Sequence, residues 1–291
     1  MTFSKEQIEE MVRSVPSWFH SMDLGHGVVT PGVGSEADQE AKLESLQLPA
    51  LQGKSVLDIN AMDGFFSFAA ERRGAERVVA LDHYMWAMDL GAHRKYWIEC
   101  AEQGKVPQPY HTMPYYKPNE LPGKIGFDTA HKALGSKVEV VVADFMEMDL
   151  RELATFDIVL FLGSLYHMEN PLEALKRVAK VTREVAIIES EAVEFVGYES
   201  HAMCEFFETN ELNGDVSNWW APNEKALSGL CRAAGFRRVN LIAGIHGRGA
   251  HIRKSMPRKS DPGVNPSTPA IPDENQASAV IRYRAVVHAW K

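Results

Sequence analysis

Apolar residues along this chain gather into short runs separated by stretches with helical spacing. The runs cover residues 55–59, 77–82, 138–144, 156–162 and 185–190. Helical patterns occupy 65–73 and 171–180, between runs. Nearly continuous apolar strands that alternate with helices predict a parallel sheet covered on both faces. Two further runs lie at 238–243 and 279–289, with no helical pattern between them. They predict an antiparallel C-terminal hairpin, joined by a long loop at 247–278. The expected fold is therefore α/β, with a seven-stranded, mostly parallel sheet. Ahead of it, Ser4 and Gln7 form a capping-box pattern for a helix over 4–14, and a second helix is expected over 36–47. Residues 18–32 are rich in glycine and aromatics and predict an ordered loop or short hairpin. Residues 1–50 thus form an N-terminal helical and loop cap, and 51–291 the main domain. Insertions at about 86–137 and 191–223 exceed the minimal alternation, and each is expected either to wall the substrate or only to thicken the domain.

The composition fits this picture. The chain is 45% hydrophobic and 24% charged, as a soluble globular protein is. Its formal net charge of −8 argues against a dedicated nucleic-acid binder. The basic stretch 246–259 is a local exception. It can meet RNA phosphates, although such runs are more often solvated loops. Cys100, Cys204 and Cys231 form no CxxC pair and no zinc pattern, which suggests reduced thiols and a cytoplasmic setting. The polar N-terminus does not resemble a signal peptide, and no apolar run reaches the roughly 18 residues of a membrane span.

Candidate chemistry sits at the ends of the predicted strands, where ligands of open α/β sheets bind. The first strand ends Asp58-Ile-Asn-Ala-Met-Asp-Gly64, a tight turn whose small residues Asn60, Ala61 and Gly64 let a nucleoside approach the backbone. Asp82, followed by His83, ends the second strand 24 residues after Asp58. That is the spacing of an acid that accepts ribose hydroxyls, or else of a helix cap. Asp144 and Phe145 end the third strand, where an acid can take an adenine amino group and a ring can pack on the base. Leu162 ends the fourth. A dinucleotide loop reads G-x-G-x-x-G. Here Asn60, Met62 and Asp63 replace that pattern, and an acid at Asp63 is expected to repel a pyrophosphate. Acids at successive strand ends without that loop point to a phosphate-free adenosyl cofactor.

Residues 55–240 resemble the class I S-adenosylmethionine-dependent methyltransferases, which have a Rossmann-like fold. The likeness is to the branch that includes tRNA wobble-uridine carboxymethyltransferases and metal-dependent sugar or natural-product O-methyltransferases. It is carried by 56–68, by Leu162-Gly-Ser-Leu-Tyr-His-Met-Glu-Asn-Pro-Leu172, and by Trp18-Phe-His20 with 27–32. Asn60 and Met62 depart from the family's Asp-x-Gly-x-Gly-x-Gly pattern. The resemblance implies that the N-terminal stretch folds over S-adenosylmethionine and that His167 is a general base. A neutral imidazole there can take the proton of a hydroxyl acceptor. A carboxylate acceptor needs no base, and His167 would then orient it or bind metal. Glu189 and Glu191 point the same way along a strand. With His167 they form a candidate site for Mg2+ or another divalent metal, as the resemblance implies. Tyr166, Trp219 and Trp220 are candidate substrate contacts, with the two tryptophans not distinguished. The expected activity is O-methylation of a hydroxyl or carboxylate of a small polar metabolite or saccharide. The alternatives are a tRNA-modifying transferase and a non-catalytic cofactor-binding protein.

Overall fold

The computed structural model describes residues 3–245 and 280–291. The expected loop 247–278 and the basic stretch 246–259 lie outside the described residues. Helix α1 (Lys5–Ser14) starts at the capping box of Ser4 and Gln7, and α2 (Glu36–Ser45) starts at a second one, Ser35 with Asp38. The alternation follows as β1 (Ser55–Ile59), α3 (Phe65–Arg72), β2 (Arg77–Asp82), α4 (Leu90–Glu102), α5 (Ile125–Leu134) and β3 (Glu139–Val142). It continues with β4 (Phe156–Leu162), α6 (Pro171–Val181), β5 (Thr182–Phe195), β6 (Cys204–Phe206) and β7 (Trp220–Pro222). Helix α7 (Glu224–Ala233), β8 (Arg238–Ala243) and β9 (Val280–Trp290) complete it.

Seven strands form one sheet in the order β3-β2-β1-β4-β5-β9-β8, while β6 and β7 pair separately. This is the expected α/β, Rossmann-like sheet. Strand β1 is parallel to both β2 and β4, and β8 is antiparallel to β9, as the absence of a helical pattern between them predicted. Chain order reverses between β1 and β4. That reversal is the switch point beyond which open α/β sheets bind ligands.

Two strands differ from expectation. Strand β5 runs to Phe195, and Glu189, Glu191 and Glu194 are buried within it. Their charge suggests a strand end in the sequence, but an arginine on β9 meets two of them in the structure. Strand β3 is not covered on both faces. It lies at the sheet edge, where Val140 and Val142 are exposed.

The chain divides into two compact units. Unit 1 holds residues through His93, Pro114–Phe161 and Lys180–Val185, and unit 2 holds the rest. Residues 18–34 belong to unit 1 and form the short hairpin expected, with a bridge between Asp23 and Val29. The Thr30 hydroxyl ties it shut by donating to the His20 carbonyl (2.6 Å) and accepting the Met22 N–H (2.9 Å).

Candidate functional site

In unit 1 the turn after β1 keeps a glycine-type backbone without the glycines. Asn60 and Met62 have φ of +63° and +53°, and Gly64 has +86°. L-residues rarely adopt this region, asparagine being the best tolerated. Local hydrogen bonds hold the turn in place. The N–H groups of Asn60 and Ala61 both donate to the Leu81 carbonyl, at 2.7 and 3.2 Å. The Met62 N–H donates to Asp82 Oδ2 (2.9 Å), and its carbonyl accepts the Trp86 indole N–H (2.6 Å). The departure from the glycine pattern is thus one of side chain and not of backbone path.

The acids at this turn are buried. Asp58 accepts the Ser67 hydroxyl at 2.6 Å. Burial, reinforced by the neighbouring acids Asp82 and Asp63, pushes its pKa up to about 7. Asp82 is fully buried and is raised to about 6 by the same desolvation, although its two oxygens accept the N–H groups of Met62 and Met85. Its observed work is to hold the turn, through backbone hydrogen bonds from Met62, His83, Met85 and Trp86. Burial thus disfavours the charged form of both carboxyls, and a cation bound beside them would favour it again.

Asp63 behaves differently from the sequence expectation. It is 5% exposed and faces His20, whose Nδ1 lies 2.5 Å from Oδ1, while Oδ2 accepts the N–H groups of Phe19 and His20. Burial alone pushes its carboxyl up, but the His20 ring and these donors outweigh that and hold it low. Asp63 therefore clamps the N-terminal hairpin and does not confront a ligand.

At the end of β3, Asp144 is exposed and accepts the Met146 N–H (2.8 Å), while Phe145 is buried against Phe161. Tyr116 feels the charges of both Asp82 and Asp144, which together with burial raise its pKa, and its ring meets Tyr84 at 5.5 Å. His83, like Tyr84, is half-buried beside Asp82. Tyr84 and Tyr116 thus stand beside the strand-end acids, and the sequence did not single them out. A tyrosine two residues after a strand-end acid is the only signal for Tyr84.

In unit 2, a 3-10 turn over Leu165–His167 follows β4. His167 Nδ1 lies 3.0 Å from the Ser217 carbonyl and 2.9 Å from its hydroxyl oxygen. That hydroxyl donates to Asp215 Oδ1 at 2.7 Å. Both partners of Nδ1 therefore accept, which places the ring proton on Nδ1 and the lone pair on Nε2. Burial lowers the His167 pKa against the opposing pull of Asp215, so the ring is neutral near pH 7.

The expected metal ligands are otherwise engaged. Arg284 on β9 ion-pairs with both oxygens of Glu189, donates to Glu191 Oε1 (2.8 Å), and donates to the Tyr166 hydroxyl (3.0 Å). Asn213 donates to the same Glu191 oxygen at 3.1 Å. A guanidinium already supplies the positive charge that a metal would bring to these carboxylates. Among the described residues, no group of three His, Cys, Asp or Glu side chains is set to hold a metal ion. The site of Glu189, Glu191 and His167 thus does not fit a divalent cation, and the metal expectation is corrected. The sequence gives no sign of this, because Arg284 lies 95 residues from Glu189.

The two tryptophans are now distinguished. Trp220 and Tyr166 line a cavity of about 250 Å3, together with Leu165, Cys204 and Leu230. Trp219 does not. Its ring stacks near Phe206 (centroids 6.4 Å apart), and its backbone N–H donates to the Tyr166 carbonyl at 2.7 Å. No helix among the described residues is long and apolar enough to cross a membrane.

Residues 125–188 match the methyltransferase domain family. The structure is similar to the crystal structure of the N-terminal domain of EvdMO1 in the presence of SAH and D-fucose. The TM-score is 0.56 at 16% identity, over 99% of this chain and 97% of that one. The same domain with SAH bound gives 0.56 and 16%, over 99% and 98%. Against EvdMO1 itself the values are 0.53 and 14%, and this chain spans only 48% of that longer one. No curated protein matches the sequence. At these identities the likeness is one of fold. The chain has the Rossmann-like fold of S-adenosylmethionine-dependent methyltransferases, and the domain match within it supports that enzyme class.

Proposed function

We propose that this chain is an S-adenosylmethionine-dependent O-methyltransferase acting on a hydroxyl of a small molecule. The supporting observation is His167, a neutral imidazole with Nδ1 tied to Ser217 and Nε2 left as proton acceptor. S-adenosylmethionine supplies a methyl group on a positively charged sulfur. The residues of unit 1 suit such a cation. Asp58 and Asp82 are buried carboxyls whose charged form a bound cation would favour, and the turn from Asn60 through Ala61 to Gly64, left-handed at Asn60, Met62 and Gly64, would bring backbone close to a ligand. Asp82 and His83 would receive the ribose and Asp144 and Phe145 the adenine, with Tyr84 and Tyr116 beside them.

His167 would take the acceptor proton at Nε2, with S-adenosylmethionine giving up its methyl group and leaving as the neutral thioether, and Ser217 and Asp215 hold the ring against rotation. Base assistance of this kind contributes about 10²–10⁴-fold. The three cysteines are free, which suits a reducing, cytoplasmic setting.

The reading predicts catalysis without a metal, because Arg284 occupies the carboxylates. Turnover of labelled S-adenosylmethionine should be unchanged after treatment with a chelator. Loss of turnover in chelator, restored by Mg2+, would refute the role assigned to Arg284.

A further inference from the structure

We propose that the cavity beside Tyr166 binds an aromatic ring, and that the methyl acceptor carries that ring. The second half of this statement rests on the O-methyltransferase reading, whereas the binding itself does not. The expectation from sequence was a polar metabolite or saccharide. The walls of the cavity argue otherwise. Leu165 and Leu230 are hydrocarbon, and Pro171 and Pro222 have no N–H to donate. The polar tips of the two aromatic walls are committed elsewhere. The Trp220 indole N–H points to the Glu169 carbonyl at 3.4 Å, and the Tyr166 hydroxyl accepts from Arg284 at 3.0 Å. Cys204 is the one remaining lining side chain, and a thiol is a weak donor.

A hexose buried there would leave hydroxyls without partners, each at a cost of about 1–3 kcal/mol. A planar ring has no polar groups on its faces to leave unpaired and packs against indole and phenol in offset or edge-to-face contact. The size is suitable as well. An apolar cavity of about 150 Å3 holds one benzene. The cavity here, about 250 Å3, takes a single substituted ring. Tyr166 also places the cavity next to the candidate base, since its ring centroid is 4.3 Å from that of His167. An acceptor phenol bound by its ring body would thus lie beside a proton acceptor.

Cys204 provides a readout independent of turnover. It lines the cavity and is exposed, whereas Cys100 and Cys231 are buried. In the native protein one thiol per chain should react with an aromatic disulfide reagent. Phenol at ten times its Kd should slow that reaction about tenfold by mass action, while glucose and D-fucose at the same concentration leave it within twofold. Leu230→Trp fills the cavity and should remove the protection. Leu230→Phe, a milder change, should weaken it if the tryptophan variant does not fold. Protection by either sugar equal to that by phenol would overturn the proposal. So would phenol protection that persists at full strength in a folded Leu230 variant. The assay contains no S-adenosylmethionine, so its failure leaves the methyltransferase reading to its own tests. Ring binding without any methylation of phenols would sink the acceptor assignment alone.

Discussion

His167→Ala should lower kcat for methyl transfer to a hydroxyl acceptor by about 10²–10⁴-fold, or about 3–5 kcal/mol of barrier. Affinity for S-adenosylmethionine should change little. The loss follows from geometry. With Nδ1 held by Ser217, Nε2 is the one ring atom able to receive a proton. Burial sets the direction of the pH dependence. It lowers the His167 pKa, so the base is neutral above a value lying below the usual histidine range. The rate of the native enzyme should therefore fall as pH drops through that lowered value and be flat above it, and the alanine variant should lose this limb. A steady-state rate profile between pH 5 and 8, the range in which histidine changes charge, checks both. A variant within threefold of native activity would remove the base and favour a carboxylate acceptor, which needs none.

Gly64→Ala should destabilise the fold strongly. A Cβ there would stand 2.4 and 2.7 Å from two ring atoms of Phe68 and 2.8 Å from Phe127. Both rings are buried, at 1% and 0% exposure, and have no room to yield. The backbone adds its own cost, because φ is +86°. Left-handed strain of about 1–2 kcal/mol joins overpacking of about 1–3 kcal/mol. The sum, roughly 2–5 kcal/mol, should lower Tm by roughly 4–20 °C for a chain of this size. A shift under about 2 °C would show that the turn relaxes around a side chain. The alanine should also weaken cofactor binding, since the same turn carries Asn60 and Met62.

Much of the architecture was legible because strands buried on both faces need continuous apolar runs. The runs at 55–59, 77–82 and 156–162 coincide with β1, β2 and β4, and that at 238–243 with β8, an edge strand that is only partly buried. Capping boxes marked the start of α1 and α2 for an equally local reason. What escaped was set by partners far apart in sequence. Glu189 and Glu191 offered two carboxylates on one strand face, a plausible metal site until Arg284 is seen between them. Asp63 looked like a guard against phosphate, but His20, on a different segment, makes it a clamp. Asn60 and Met62 looked like departures from the glycine pattern, yet their positive φ retains the path that glycine would take. Tyr116 lies in an insertion with no strand-end position to mark it. Trp219 and Trp220 are adjacent, and only the pairing of β6 with β7 separates their roles.

The turn after β1, with Asp58 and Asp82 behind it, should serve a cationic, phosphate-free adenosyl ligand. Thermal unfolding with increasing S-adenosylmethionine, and separately with NAD, tests this most directly. Binding to the native state alone stabilises by about 2.7 kcal/mol at one hundred times Kd. The account predicts that S-adenosylmethionine raises Tm in step with its concentration while NAD leaves it unchanged. A rise with NAD and none with S-adenosylmethionine would contradict it.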